Sequence, residues 1–359
     1  MTDKLKSLSK NLVLLFTSIL VTSFLIEIFF KILGYGNVEI YEPDQKLFWK
    51  LKPNQDCFTK IGHKPVHINS KGTRGRDFSE KKPDDVFRIV SVGDSRTFGW
   101  GLSEPETYSF LLEDSLRAFF GDSRKVEVIN AGVNAWSYDQ IYMYLKGVAL
   151  NYQPDLVIVA QANLWSQFNE NATEDFRTKF MTRVWLKNLL RRSALYHYMI
   201  EVQLKTFYDR YRNDLIPMPE REDEIQFRQR KDENTVLRES IESICRLLKE
   251  KNVNFLLLHI PWEIEEFQIF RVEKAIKQDL SGKYDIHLID LEGPFSSSKS
   301  KLFQEADRVH PNAEGNKIIA NQIFRFLIKH EGEFLVVDRI PYAWTLFTAL
   351  ATNLAVPAQ

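Results

Sequence analysis

FRIVSVGDSRT, residues 87–97, decides the fold: a near-continuous apolar run stops on Gly93-Asp94-Ser95, three residues that favour turns and caps over strand. Apolar residues on both alternations predict a strand buried on both faces, as in a parallel sheet covered by helices. Four later stretches read the same way: 126–130 (VEVIN), 156–160 (LVIVA), 254–260 (NFLLLHI) and 287–291 (HLIDL). Between them, 107–120, 138–150 and 313–329 carry apolar residues at helical spacing, with Ser137 placed to cap the second. Strand and helix in alternation predict βαβ units, hence one α/β domain over residues 85–332.

Working outward, the flanks differ from this core. Residues 12–33 (LVLLFTSILVTSFLIEIFFKIL) are nearly all apolar, interrupted only distally by Glu27 and Lys31. At about 1.5 Å per residue that is enough to cross a hydrocarbon core of about 30 Å. Lys4, Lys6 and Lys10 precede it, so residues 1–36 read as a cytoplasmic stub and transmembrane signal anchor, with everything after Gly36 extracytoplasmic. A cleaved signal peptide competes, but the segment is long and no A-x-A-like site follows; no lipobox cysteine follows either. Residues 37–84 read as an irregular lead-in, about 174–250 as a helical insertion with a charged, solvated run, and 333–359 as a tail of unassigned role.

Composition narrows the function. With 359 residues, 44% hydrophobic, and 48 Lys+Arg against 48 Asp+Glu, the chain is globular and offers no global field to hold nucleic acid. Two cysteines, Cys57 and Cys245, lie far apart without metal-ligand spacing. That excludes structural zinc and iron–sulfur readings and leaves open one long-range disulfide.

The chemistry gathers at strand ends. Ser95 follows the first strand, at the carboxyl edge where open α/β sheets place ligands, although such a triplet is also an ordinary turn. A nucleophilic serine needs a base, and the base needs an orienting carboxylate; Asp307 and His310, three residues apart before the last helix, supply both. Of the other six histidines only His259, late in the fourth strand, is kept as a weaker alternative base. An oxyanion requires preorganised donors, and the Ser95 N–H, Gly132 and Asn163 stand at three successive strand ends. Trp100, Trp136 and Trp165 lie near these loops and could stack on sugar rings, and Arg96 could receive an anionic substrate; packing and a surface ion pair are the plainer alternatives.

These residues resemble the motif blocks of the SGNH hydrolase superfamily, the GDSL-type esterases. VGDSRTFGWG with Ser95 matches the first block, INAGVNAWS with Gly132 the second, and DRVHPNAEGN with Asp307 and His310 the last, in family order. The third block usually reads Gly-x-Asn-Asp; here it is QANLW, so Asn163 is the nearest equivalent while the glycine and following Asp are missing. The lead-in INSKGTRGRDF followed by RIVSVGDS is similar to a membrane-anchored bacterial branch, and the resemblance covers about residues 47–327.

The resemblance implies a three-layer αβα fold with a five-stranded parallel sheet of flavodoxin-like type, and ester chemistry through an acyl-Ser95 intermediate with no metal or organic cofactor. Water as acceptor makes an esterase. A sugar hydroxyl makes an O-acyltransferase, which calls for a membrane-bound partner to deliver acyl groups. The altered third block also admits a non-catalytic glycan-binding relative. Outside the cytoplasm, acylated cell-envelope carbohydrate or lipid is the natural substrate pool, and the family includes enzymes that add or remove acetyl groups on exported polysaccharides.

Overall fold

The structure, a computed structural model, describes residues 2–38, 40–59, 63–162, 168–204, 207, 231–262, 268–305 and 309–335. All five expected strands form: β5 (Val86–Gly93), β6 (Lys125–Gly132), β7 (Leu156–Val159), β8 (Asn254–His259) and β9 (His287–Asp290). They pair parallel in the order β6-β5-β7-β8-β9. This is the flavodoxin-like order, whose crossovers leave β5 in opposite directions toward β6 and β7 and open a crevice at its carboxyl end. Every residue of β5 and β7 is buried, as their two-faced apolar runs require.

Helices cover both faces. On one, α3 (Tyr108–Phe120) and α10 (Ala313–Lys329) press Leu112, Leu116, Ile319 and Ile323 onto Ile89, Ile158 and Leu256. On the other, α4 (Tyr138–Gly147) and α7 (Lys231–Glu250) bring Ile141, Leu145, Ile241 and Ile244 against Val90, Val157 and Leu257. Ser137 caps α4 as its sequence predicts, in a reciprocal box with Gln140. Since α7 packs on the sheet, it belongs to the domain's helical layer; among the described residues the insertion holds α5 (Glu174–Arg191), α6 (Ala194–Tyr196) and a π-helical segment, His197–Leu204. The charged run 219–230 lies outside the described residues.

The lead-in is more ordered than its sequence suggests. β1 (Tyr41–Asp44) pairs antiparallel with β2 (Phe48–Leu51), and β3 (Gln55–Phe58) with β4 (Pro65–Ile68). These strands are four residues long and carry charges and prolines, so they have too little apolar alternation to be read in advance. The lead-in then bridges to the sheet edge, where the Arg74 N–H donates to the Asn130 carbonyl at 3.0 Å. Cys57 and Cys245 are both buried and unbridged. At the N-terminus, α1 (Thr2–Ile32) contains one stretch, Ser7–Ile32, long and apolar enough to cross a membrane and exposed except at Glu27 and Phe30, which are half-buried. Of the tail, Phe334 and Leu335 pack into the core; residues 336–359 lie outside the described residues.

Candidate active site at the carboxyl edge of the sheet

Ser95 is the first residue of α2 (Ser95–Phe98), directly after β5. Its neighbours from Ser91 to Gly99 are buried, whereas Ser95 itself is half-buried. This short helix can sit so close to the sheet only because two positions lack a side chain. A Cβ on Gly93 would meet Thr97 Oγ1 at 2.1 Å, and one on Gly132 would meet the Phe98 backbone nitrogen at 2.2 Å. Below, the Tyr108 hydroxyl bonds Ser91 Oγ at 2.7 Å and Thr97 Oγ1 at 3.0 Å. Its phenol is pushed up to about 12 by burial. At the helix's other end, Arg74 Nη1 donates to the Phe98 and Gly99 carbonyls at 2.8 and 2.9 Å, and Nη2 to the Leu102 carbonyl at 2.6 Å. The lead-in thus satisfies carbonyls that a helix C-terminus leaves open.

The partner arrives from the other end of the domain. His310 Nε2 lies 2.8 Å from Ser95 Oγ, across 215 residues of chain. For that nitrogen to accept the hydroxyl proton, the ring's own proton sits on Nδ1. The loop carrying His310 is pinned on both sides. The Gln304 N–H donates to the His310 carbonyl at 2.9 Å, and Gln304 Nε2 reaches the Trp100 carbonyl at 3.2 Å. Asn312 caps α10 through the Gly315 N–H and ties back to the Lys301 and Phe303 carbonyls. Trp100, half-buried, holds its ring 5.8 Å from that of His310. Asp307, Asn163 and Trp165 lie outside the described residues.

Several expected roles change. Arg96 does not face outward: its side chain is 2% exposed and grips Asp94, with Nη2 to Oδ2 at 2.7 Å and Nε to Oδ1 at 3.1 Å. Burial alone would lower the guanidinium pKa, but the Asp94 carboxylate outweighs it and the pKa is raised, so the guanidinium stays charged. Asp94 also accepts the Arg96 backbone N–H, capping α2. Trp136 is a core residue, its indole N–H donating to the Trp49 carbonyl at 2.9 Å. Gly132 serves packing under Phe98, and its N–H is taken by Asn130 Oδ1 at 3.1 Å rather than left open as an oxyanion donor. His259 is buried against Gln161, Nδ1 to Nε2 at 2.9 Å; burial, with Lys277 nearby, lowers its pKa and keeps it neutral. The hydrogen-bond partner of the Ser95 hydroxyl is His310, not His259.

Other residues had no signal in the sequence. Gln161, where the third block departs from the family pattern, clasps the Ile260 backbone through both amide atoms, while its carbonyl takes the Asp94 N–H. On α8 (Gln268–Tyr284), Glu273 and Lys277 form an ion pair at 3.1 Å with neither side chain exposed. The Tyr138 hydroxyl bonds Glu273, and Lys277 Nζ donates to the Leu258 carbonyl at 2.8 Å. The Arg96 guanidinium lies 5.3 Å over the Trp262 ring. Ala135 holds φ 65°, a left-handed conformation uncommon for a residue with a Cβ, and its N–H has no hydrogen-bond partner among the described residues. Among the described residues no His, Cys, Asp and Glu group could hold a metal ion.

A sequence model of the GDSL-like Lipase/Acylhydrolase family matches residues 91–318. No curated protein matches the chain. Similar solved structures include an acetyl xylan esterase, AlAXEase (15% identity, covering 67% of this chain and 100% of that one, TM-score 0.43). A psychrotrophic esterase, EstA, from Pseudoalteromonas gives 14% identity, 70% and 100% coverage and a TM-score of 0.41. A catalytic mutant of the acetylxylan esterase Axe2 from Geobacillus stearothermophilus gives 12%, 67%, 93% and 0.41.

Proposed function

Because the chain belongs to the GDSL-like lipase/acylhydrolase family and is a serine ester hydrolase, we propose that it is a membrane-anchored, extracytoplasmic esterase. It removes short acyl groups, acetyl above all, from cell-envelope carbohydrate or lipid. The observation that carries this reading is the 2.8 Å contact between Ser95 Oγ and His310 Nε2 at the sheet's switch point.

In the first half-reaction Ser95 Oγ attacks the ester carbonyl carbon as its proton passes to His310 Nε2. The Ser95 N–H, at the first position of α2 where no intrahelical partner exists, and the Asn163 side chain meet the oxyanion. Asp307 accepts from Nδ1 and steadies the imidazolium. Collapse expels the alcohol, which takes the proton from Nε2, and leaves acyl-Ser95. Water, deprotonated by His310, then releases the acid and restores the serine. The anchor is the apolar part of α1 from Leu12 onward, within the span-length stretch Ser7–Ile32, with Lys4, Lys6 and Lys10 on the cytoplasmic side.

The test is intact-mass analysis of the detergent-solubilised chain after exposure to a fluorophosphonate. One adduct is expected on the wild type and none on Ser95→Ala or His310→Ala. A folded wild type that stays unmodified would sink the assignment.

A further inference from the structure

α1 does not stand apart from the domain. Glu27, the acidic residue near its distal end, accepts hydrogen bonds from Ser193 Oγ at 2.9 Å and from the Ala194 and Leu195 N–H groups at 2.8 and 3.0 Å. Phe30 stacks on Tyr198 with ring centroids 4.3 Å apart, and the Gly36 N–H donates to His197 Nδ1 at 3.0 Å. Counted from Leu12, about 20 residues give the 30 Å of a hydrocarbon core, so Glu27 lies in the last two turns of the span. Ser193 and the start of α6 therefore meet α1 near the outer face of the bilayer. A carboxylate at that depth is costly without partners, and the insertion supplies them.

The same insertion exposes apolar side chains. On α5, Trp185, Leu186, Leu189 and Leu190 occupy positions i, i+1, i+4 and i+5, one face of a helix, and are 42% to 59% exposed. Beyond α6, Met199, Ile200 and Leu204 are 43% to 55% exposed, next to the Tyr198 that stacks on α1. An Arg191–Glu201 ion pair at 2.9 Å holds the two segments together. Exposed Arg183, Lys187 and Arg192 lie among these residues. An aromatic ring, an apolar face and interspersed cations at the end of a membrane span are the composition of an interfacial helix.

We propose that α5 and the segment His197–Leu204 form a second membrane contact, lying in the outer-leaflet interface and seated on α1 through Glu27. This rests on reading α1 as the anchor. The occupant is lipid because α6, which joins the two exposed segments, is seated on the span of α1 itself and because the interspersed cations suit anionic headgroups. The consequence is orientation: a domain held at two points presents Ser95 to the membrane at a fixed height instead of swinging on a tether.

The test is spin-label accessibility on the full chain in nanodiscs of phosphatidylethanolamine and phosphatidylglycerol. Cys57 and Cys245 are buried, so labels report introduced cysteines. Leu186→Cys, Leu189→Cys and Ile200→Cys are compared with Phe16→Cys in the span and Asp122→Cys on an exposed turn. Labels at 186, 189 and 200 are expected to collide several-fold more with oxygen than with a water-soluble nickel chelate, as at 16, with the reverse at 122. Aqueous readings at 186, 189 and 200 with a lipid reading at 16 would overturn the proposal and leave the anchor standing. An aqueous reading at 16 would remove the anchor and the proposal together. Spin–spin broadening at 186 and 189 would show a second copy covering the face, and would also overturn it.

Discussion

Behind Ser95 the chain buries charge, whereas in the insertion it exposes apolar side chains. Asp94, Arg96, Glu273 and Lys277 are each at most 3% exposed, and Trp185, Leu186 and Leu189 each at least 49%. Both regions invert the ordinary partition of residues, and such inversions mark places where something other than stability is being served. In the first, ion pairing and hydrogen bonds offset desolvation and hold one strand-to-helix turn in one geometry. In the second, no group among the described residues covers the apolar face, and the bilayer proposed above would do so.

The largest effect belongs to the site that the buried charges surround. Ser95→Ala and His310→Ala are each expected to lower kcat roughly 10⁴-fold or more, measured as acid release from a soluble aryl acetate, with the folded state unaffected. The buried pair behind it comes next. Glu273→Ala or Lys277→Ala leaves the other member charged and unpaired in a site with no exposure, which costs about 3–5 kcal/mol in chemical unfolding. The double variant Glu273→Leu/Lys277→Met should recover most of that loss. A double variant as unstable as the single ones would mean that the pair is not the unit holding α8 to β8.

These two layers differ in how far the sequence exposes them. The five strands announce themselves because each is buried on both faces and so is apolar at nearly every position, and the carboxyl edge then follows from parallel connection. The contact between Ser95 and His310 was legible because a candidate nucleophile and a candidate base would both have to stand at the carboxyl edge. The support behind them was not. Glu273 and Lys277, four residues apart on α8, have the spacing of a solvated surface pair, and only the packing of α8 on the sheet buries them. Arg74 acts on α2 from the lead-in segment after β4, and Gln161 acts by reaching the Ile260 backbone just beyond β8 with both amide atoms. For Arg96 and Trp136 the sequence leaves substrate contact and packing both open, because proximity in sequence says nothing about the direction of a side chain.

A smaller effect concerns charge that is buried with little compensation. Burial raises the Asp139 carboxyl on α4 from an ordinary 3.8 to about 6, against a single hydroxyl bond from Ser240 at 2.8 Å. The folded state thus holds this proton more tightly than the unfolded state. Its stabilising contribution is complete below about 3.8 and is lost as pH rises through about 6. Asp139→Asn should flatten that part of the stability–pH curve and raise stability at neutral pH by about 1 kcal/mol. An unchanged slope would place the titration elsewhere.

The smallest effect is the sharpest test of the contrast, because it uses the same substitution in both regions. Leu257→Ala removes a side chain with no exposure from between β8 and the α7 layer and should cost about 2–5 kcal/mol. Leu189→Ala removes the same atoms from a face 49% exposed. If lipid rather than protein covers that face, the domain loses no internal contact. Unfolding in detergent should then shift by no more than about 0.5 kcal/mol, the range for surface substitutions. The cost would instead fall on the membrane contact, at roughly 0.8 kcal/mol per buried methylene withdrawn from lipid. A Leu189→Ala variant as unstable in detergent as Leu257→Ala would show that protein already packs against this helix, and the two regions would no longer be opposites.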